Sequence, residues 1–345
     1  MPALLPALGG ASCAVSISPW INSERLEEWM RLKIWPDTDI RIEALDRVSG
    51  GLSAETYRMS VRVGGDKTWP LILRRDPVGG LVERDIEREY RVMKQLENAP
   101  LPVPRMLGLE LDCGWLERPF FIDAQLPGIA DRNYFNSPAC ASLRPVLGEQ
   151  FVRHLASLHT LDIAKYGLDF LPFPMEGAAK REVLEWEDLF ARRSLDADPV
   201  VTEAFLWLHA NLPAEPRISL VHGEYRPGNF LFDDDKITAI LDWEYAHLGD
   251  PHEDLGWVCM AQFRLGNCES GFFPRDELIG RYQAHVDFTV DPASVKFWEV
   301  FSTVKTMGIM ATGISAFVEG TMSSALFNYG PVANFAAEIC RIIDL

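Results

Sequence analysis

A β-like interruption in an otherwise helical half of the chain is the feature that most constrains the fold. Residues 219–244 read SLVHGEYRPGNFLFDDDKITAILDWE. Two apolar runs, 230–232 and 237–241, flank four polar residues, a pattern that is typical of a β-hairpin. Folding this hairpin brings Asn229, just before the first strand, beside Asp242, just after the second. The sequence therefore predicts that an amide and a carboxylate meet at the open end of one hairpin.

These two side chains are the kind of ligand that magnesium prefers. Mg²⁺ commonly takes one or two protein oxygens and completes its octahedron with phosphate and water oxygens. We therefore predict that Asn229 and Asp242 bind Mg²⁺, although Asp242 taken alone would be read as a turn residue. Glu224 precedes Asn229 by five residues in a loop broken by proline and glycine, and it would direct a second carboxylate to the same place. Such a carboxylate can orient a substrate hydroxyl and accept its proton.

The motif around these residues resembles that of a known enzyme family. HGEYRPGN, from His222 to Asn229, is followed by the hairpin and by ILDWEYAHLGDPHEDLGW. This pattern resembles the motif of aminoglycoside phosphotransferases and choline-kinase-like enzymes, and it is similar to the branch that includes the kinase domains fused to some acyl-CoA dehydrogenases. The resemblance implies an α+β, protein-kinase-like, two-lobed fold with a small β-rich N-lobe, a larger helical C-lobe and ATP between them. It also implies a phosphotransferase that uses ATP and Mg²⁺ to phosphorylate a hydroxyl group of a small molecule.

The resemblance extends upstream to a glycine loop. Residues 48–58 read VSGGLSAETYR and resemble the loop whose bare backbone approaches the phosphates of ATP. The resemblance therefore implies that Ser49, Gly50, Gly51 and Ser53 bind the nucleotide.

A cation and a carboxylate complete the predicted nucleotide site. Residues 71–75, LILRR, resemble the strand that carries the phosphate-pairing cation, and Arg74 stands where kinases usually place lysine. Independently, Glu89 falls on the inward stripe of a helix predicted over 85–96, where a carboxylate requires a cationic partner. We predict an Arg74–Glu89 ion pair that positions the nucleotide phosphates. Arg75 stays open as an alternative, because strand alternation lets only one of the two arginines face the cleft.

Three residues of the predicted catalytic loop receive roles. Glu224 orients the acceptor hydroxyl, but the family usually has aspartate here, and the extra methylene moves the carboxylate by about 1 Å or more. The loop is therefore adjusted, or the chain is a nucleotide-binding protein that has lost transfer activity. His222 braces the loop and is not the general base, and Arg226 either stabilises the transferred phosphoryl group or is a surface arginine. Glu244 and Asp254 bind a second metal, or they cap the helix that begins after Pro251 and tie down the catalytic loop. We favour capping and bracing for Asp250 and Asp254.

The domain organisation follows from the hydrophobic periodicity. We predict a loosely ordered segment over 1–22, an N-lobe over 23–125 with the glycine loop, a five-stranded sheet and one helix, and a helical C-lobe over 126–345. Strands are predicted at 58–63 and 69–73, joined as a hairpin near Gly64 and Gly65, and at 106–111 and 120–122. Helices are predicted at 85–96, 147–161, 183–190, 200–212, 275–286, 295–311 and 332–343.

Composition limits the partners. Fifty acidic residues against thirty-three Lys and Arg give a net charge of −17, which disfavours nucleic acid as a partner. The six cysteines are scattered and suggest neither a zinc site nor a disulfide framework. No segment is expected to be long and apolar enough to span a bilayer, so we expect a cytoplasmic protein with a small-molecule acceptor and no membrane partner. By resemblance, a hydroxyacyl-CoA or another hydroxylated catabolic intermediate is the first acceptor and an aminoglycoside or macrolide antibiotic the second.

Overall fold

A computed structural model describes most of the chain as two compact units. The described residues are 21–48, 54–65, 67–77, 85–194, 198–320 and 330–344. The first unit comprises Met1–Arg75 and Leu107–Gln125, and the second comprises Asp76–Met106 and Leu126–Leu345. Most of the N-terminal segment predicted over 1–22 lies outside the described residues. The helix predicted at 85–96 groups with the second unit and not with the strands around it in sequence.

The first unit is built on a five-stranded sheet with one helix. Its elements are α1 (Ser23–Lys33), β1 (Ile40–Arg47), β2 (Glu55–Val63), β3 (Thr68–Arg75), β4 (Met106–Glu110) and β5 (Phe120–Ala124). The strands lie in the order β1-β2-β3-β5-β4, and the predicted hairpin is confirmed as β2 and β3. The connection turns at Gly64 and Gly65, whose positive φ values of 55° and 94° favour glycine.

One face of this sheet forms the core of the first unit with α1. Asn22 caps the helix by accepting a hydrogen bond from the backbone N–H of Arg25 at 3.1 Å. The apolar stripe of α1 then buries Leu26, Trp29 and Met30. The indole of Trp29 packs edge-on against Phe120 with ring centroids 4.8 Å apart. The period of α1 and the alternation of the strands therefore bury the same apolar layer.

The second unit is mostly helical. Its helices are α2 (Ile86–Leu96), α3 (Arg132–Asn136), α4 (Arg144–His159), α5 (Ala178–Arg193), α6 (Pro199–Ala210), α7 (His252–Cys259), α8 (Arg275–Gln283), α9 (Pro292–Val318) and α10 (Gly330–Ile343). Its strand pairs are β6 (Ser219–Val221) with β9 (His247–Gly249), β7 (Phe230–Asp233) with β8 (Lys236–Ile240), and β10 (Cys268–Glu269) with β11 (Phe273–Pro274). Short 3-10 turns occupy Pro138–Cys140, Trp243–Tyr245 and Ala261–Phe263. All the predicted helices are present, with ends that differ by up to seven residues, at the end of α9.

Helices α7 and α9 cross in close contact. A Cβ atom added at Gly256 would lie 2.4 Å from the backbone carbonyl carbon of Trp298 and 2.5 Å from its oxygen, so only glycine fits at this crossing. The indole of Trp298 is fully buried and donates through Nε1 to Oδ2 of Asp250, just before α7, at 2.9 Å. Close contact with the backbone of α9 thus fixes the position of α7.

Helix α9 corrects one expectation from the sequence. It is 27 residues long, and an 18-residue window within it reaches a mean hydropathy of 1.2, so by length and composition it could cross a membrane. In the fold, 72% of that window is buried. The sequence expectation failed because the helix extends at both ends beyond the predicted 295–311. Core helices of globular proteins pass the same test of length and composition.

Candidate active site

The open end of the β7–β8 hairpin brings Asn229 and Asp242 to the same place. Phe230 lies opposite Ile240, and the N–H of Leu241 donates to the carbonyl of Asn229 at 2.8 Å. Asp242 follows Leu241 directly and adopts a left-handed conformation with φ 69° and ψ 58°. The hairpin predicted from the sequence is confirmed, and its register sets the two predicted metal ligands at one end.

Glu224 joins the two polar residues that follow it in the loop. Its Oε2 accepts a hydrogen bond from Nδ2 of Asn229 at 2.9 Å, and its backbone carbonyl accepts from the same nitrogen at 3.0 Å. Its Oε1 accepts from Nε of Arg226 at 2.9 Å. Because Nδ2 of Asn229 is directed at Glu224, the amide oxygen is the atom left for a cation. The donor set of amide and carboxylate oxygens fits a hard divalent ion such as Mg²⁺.

Arg226 is held in the site and is not a solvated surface residue. Its side chain is 25% exposed, and its guanidinium carbon lies 5.5 Å from the ring centroid of Phe263. Burial alone would lower the pKa of Arg226, but the Glu224 carboxylate outweighs it and the pKa is raised. The arginine therefore keeps its charge beside Glu224.

His222 braces the catalytic loop from a buried position. Its Nδ1 accepts from the backbone N–H of Glu224 at 3.2 Å, and its Nε2 contacts the carbonyl of Leu241 at 2.8 Å. These two partners require the neutral tautomer with the proton on Nε2. Burial lowers the pKa of His222, which keeps this tautomer at neutral pH. The ring thus links the loop to the end of the hairpin, in the bracing role that was predicted for it.

Asp254, on α7, ties the start of the catalytic loop down. Its carboxylate accepts from the backbone N–H of His222 at 2.8 Å and of Gly223 at 2.9 Å. It also contacts Nε2 of His159 at 3.0 Å, and Nδ1 of that ring contacts the hydroxyl of Tyr282 at 2.7 Å. Burial alone would raise the pKa of Asp254, but the hydrogen bond from His159 and the backbone donors lower it. Sequence reasoning missed His159, because its partner lies 95 residues away.

Asp250 and Gly223 complete the support of the loop. Oδ1 of Asp250 accepts from the N–H of His252, the first residue of α7, at 2.9 Å. The capping interpretation therefore fits Asp250, while Asp254 braces the loop. Gly223 has φ 82°, and a Cβ there would lie 2.8 Å from Cβ and O of Tyr245, so this position requires glycine.

In the first unit, strand alternation separates the two candidate arginines. Arg75 is buried with the apolar core side of β3 and pairs with Glu55 through Nη2 at 2.5 Å and Nε at 2.9 Å. Its Nη1 donates to the carbonyl of Leu116 at 3.1 Å. Arg74 therefore lies on the opposite face and remains the candidate for the phosphate-pairing cation. In the second unit, Glu89 is fully buried on α2. The Arg74–Glu89 pair stays a prediction.

The predicted glycine-loop residues cannot be placed. Ser49, Gly50, Gly51 and Ser53 lie outside the described residues. The strands that flank the loop, β1 and β2, are paired from Ile40 with Val63 to Arg47 with Tyr57.

A second polar cluster, which the sequence did not suggest, lies behind the 3-10 turn at Trp243–Tyr245. His247 Nε2 lies 3.1 Å from Glu253 Oε2 and 3.4 Å from Glu182 Oε1. The geometry of these three side chains could hold a metal ion. However, the buried ammonium of Lys305 already lies 3.1 Å from Oε1 of Glu253 and supplies a cation to the cluster. Burial would lower the pKa of His247, but the carboxylates of Glu182 and Glu253 raise it.

Comparison with known proteins places this site in a family of enzymes. A family model described as "Phosphotransferase enzyme family" matches residues 45–298. Acyl-CoA dehydrogenase family member 10 of Mus musculus is 33% identical over 202 residues, which are 56% of this chain and 18% of that protein. Acyl-CoA dehydrogenase family member 11 of Rattus norvegicus is 29% identical over 197 residues, which are 56% of this chain and 25% of that protein. The chain thus spans a quarter or less of the length of these two relatives.

Solved structures share the fold. A candidate aminoglycoside phosphotransferase from Ralstonia eutropha superposes with a TM-score of 0.71 at 26% identity, covering 93% of this chain and 98% of that one. A thermostable mutant of the aminoglycoside phosphotransferase APH(4)-Ia, in a ternary complex with ADP and hygromycin B, has a TM-score of 0.59 at 16% identity and covers 92% of this chain and 98% of that one. The protein-kinase-like α+β fold predicted from the sequence is confirmed.

Proposed function

The chain belongs to the phosphotransferase enzyme family, and from this membership we propose that it transfers the terminal phosphoryl group of ATP to a hydroxyl group of a small molecule. The observation that carries the proposal is the contact of the Glu224 carboxylate with Asn229 at the end of a hairpin that also presents Asp242. The ADP in the APH(4)-Ia complex supports an adenine nucleotide as the donor.

The residues of the loop divide the work of phosphoryl transfer, which rests mainly on positioning and on charge stabilisation. Glu224 orients the acceptor hydroxyl and accepts its proton. Arg226 holds the Glu224 carboxylate by its 2.9 Å contact and offsets negative charge on the transferred group. Asn229 and Asp242 would hold Mg²⁺, and the bound ion would neutralise negative charge on the phosphates.

The buried groups behind the loop maintain this geometry. His222 and Asp254 hold the backbone from residue 222 to residue 224, so the Glu224 side chain starts from a fixed point. Arg74 and the glycine-loop residues Ser49, Gly50, Gly51 and Ser53 position the nucleotide phosphates in this proposal.

The acceptor that we propose first is a hydroxyacyl-CoA or a similar hydroxylated catabolic intermediate. It is supported by the likeness to acyl-CoA dehydrogenase family members 10 and 11, with which the chain shares only part of their length. The second candidate is an aminoglycoside or macrolide antibiotic, supported by the structural neighbour that binds hygromycin B. A third reading, a nucleotide-binding protein without transfer activity, is motivated by Glu224 in place of aspartate.

The test is direct measurement of transfer. Purified protein with ATP and Mg²⁺ is incubated with panels of hydroxyacyl-CoA thioesters and antibiotics, and phosphorylated products are detected by mass spectrometry. We expect a phosphorylated hydroxyacyl-CoA, abolished by chelation with EDTA and by Asp242→Asn. Asp233→Asn, at the exposed end of β7 next to the turn, is the matched control and should retain activity. Nucleotide binding without product from any acceptor would refute the proposal and favour the inactive binding protein.

A further inference from the structure

A cavity of about 310 Å³ lies in the second unit among α2, α5, the turn at Trp243–Tyr245, β9 and α9. Its volume falls at the lower end of the range of small-molecule pockets. None of the roles derived above accounts for this space.

The cavity lies next to the catalytic loop. Tyr245, which lines it, packs so closely on Gly223 that no side chain would fit between them. Gly223 is the residue immediately before Glu224. The cavity and the Glu224 carboxylate are therefore linked through the packing of Tyr245 on Gly223.

Most charges that face the cavity are already paired with each other. Arg181 contacts Oε1 of Glu182 at 2.9 Å, and Arg192 contacts Oδ2 of Asp188 at 2.8 Å. The ammonium of Lys305 is paired with Glu253, as described above, and lies 4.7 Å from the ring centroid of Tyr245. These pairs offer little net charge to a ligand.

Arg88, on α2, is the exception. Its Nη2 donates to the backbone carbonyl of Glu244 at 3.3 Å, which fixes the guanidinium at the cavity. Its Nε is buried without a hydrogen-bond acceptor, and among the carboxylates of the described residues Glu185, at the same cavity, attracts it electrostatically without forming an ion pair. The hydroxyl of Tyr245 is likewise buried without a partner among the described residues. A buried charged donor without an acceptor is destabilising, so an anionic group that contacts the Arg88 guanidinium from the cavity would be favoured.

Glu185 and His247 also line the cavity, and apolar side chains form the remainder of its wall. Leu171 and Pro172 line it from the loop before α5, and Trp186 and Leu189 line it from α5 itself. The wall therefore combines a surface for an aliphatic or planar body with one cationic anchor.

We propose that this cavity is the acceptor site and that Arg88 recognises an anionic group of the acceptor. The acceptor class is a hydroxylated compound with an apolar body and a carboxylate or phosphate. That the ligand is the phosphate acceptor rests on the proposed function. Arg88 is then the residue that determines which acceptors bind.

Binding measured without nucleotide tests the inference apart from catalysis. Isothermal titration calorimetry compares two matched probe pairs, 3-hydroxyoctanoate with its methyl ester and 3-hydroxyoctanoyl-CoA with 3-hydroxyoctanoyl-pantetheine. Each pair differs in anionic charge, and the pairs separate carboxylate from phosphate as its source. We expect the wild-type protein to bind one anionic probe about tenfold to a hundredfold more tightly than its neutral partner. Arg88→Gln should remove this preference, and Arg88→Lys should keep part of it.

Arg91→Gln is the matched control, since Arg91 is an exposed arginine on the same helix and stacks on Phe170 at 3.9 Å outside the cavity. It should bind all four probes as the wild type does. The inference is overturned if the wild-type protein prefers neither anionic probe, a comparison that requires no substitution, or if Arg88→Gln keeps the preference. Failure of phosphate transfer with these probes would contradict the proposed function and leave the binding result intact.

Discussion

Replacing Glu224 by aspartate tests whether the catalytic loop is adjusted to glutamate or has lost activity because of it. The Glu224 carboxylate makes contacts of 2.9 Å on each side, to Nδ2 of Asn229 and to Nε of Arg226. Aspartate would withdraw the carboxylate by about 1 Å or more and lengthen both contacts to about 3.9 Å, beyond hydrogen-bond distance. Misplacement on this scale costs on the order of a hundredfold in rate, or about 2.7 kcal/mol in the activation barrier. We therefore expect Glu224→Asp to lower activity, although aspartate is the usual residue of the family.

The assay is steady-state kinetics of ADP formation with the best acceptor found, together with nucleotide affinity from calorimetry. We expect kcat/KM to fall about a hundredfold, since the loop is built around the longer side chain. Glu277→Asp makes the same change at a half-exposed glutamate of α8 that pairs with Arg281 at 2.8 Å, and it should leave kcat/KM unchanged. Equal or faster turnover in Glu224→Asp would refute the reasoning and would indicate that the glutamate is a damaged version of the site.

Three further predictions concern stability. Asp254→Asn turns an N–H group toward buried donors and should lower the free energy of unfolding by about 3 kcal/mol in urea titrations. Asp287→Asn, at an exposed carboxylate, should change it little. Equal urea midpoints for the two variants would contradict this prediction. Lys305→Met removes the ammonium from the buried Glu253 carboxylate and leaves it with His247, and it should cost up to about 3–5 kcal/mol. Glu253→Gln should restore part of this loss, and a change below about 0.5 kcal/mol would argue against the Lys305–Glu253 pairing. The pKa of His247 is raised from 6.5, so the contribution of its charge to folding stability is complete below that pH and is lost as pH rises through the higher folded-state pKa. His247→Gln should therefore flatten the pH dependence of the free energy of unfolding above pH 6.5. An unchanged slope would contradict the assignment.

The sequence predicts the hairpin and the meeting of Asn229 with Asp242 because the determinants are local. Alternating apolar residues and a polar turn define β7 and β8, and the register then places Asn229 and Asp242 without further information. The choice between Arg74 and Arg75 is only half local. Strand alternation predicts that their side chains lie on opposite faces of the sheet. Which of the two is buried depends on its ion-pair partner Glu55, twenty residues away in sequence.

The bracing roles of His222 and Asp254 were predicted, but their partners behind the loop could not be, because these come from distant segments. Asp254 meets His159 across 95 residues of sequence, and Lys305 meets Glu253 across 52. Neither pair has a spacing that a periodicity reveals, since each depends on how whole helices pack. For the same reason the cavity beside Tyr245, and Arg88 within it, emerge only from the folded arrangement.

Helix α7, which packs on α9 at Gly256, contacts two different parts of the site. Glu253 and Asp254 are neighbours on its first turn, and the former reaches the charges around the cavity while the latter grips the catalytic loop. With Gly256 seated directly on the backbone of α9, this turn cannot slide without disturbing both contacts. The proposed acceptor cavity and the catalytic loop are therefore mechanically linked, so Gly256→Ala is expected to lower acceptor affinity and turnover together, as calorimetry and steady-state kinetics would measure.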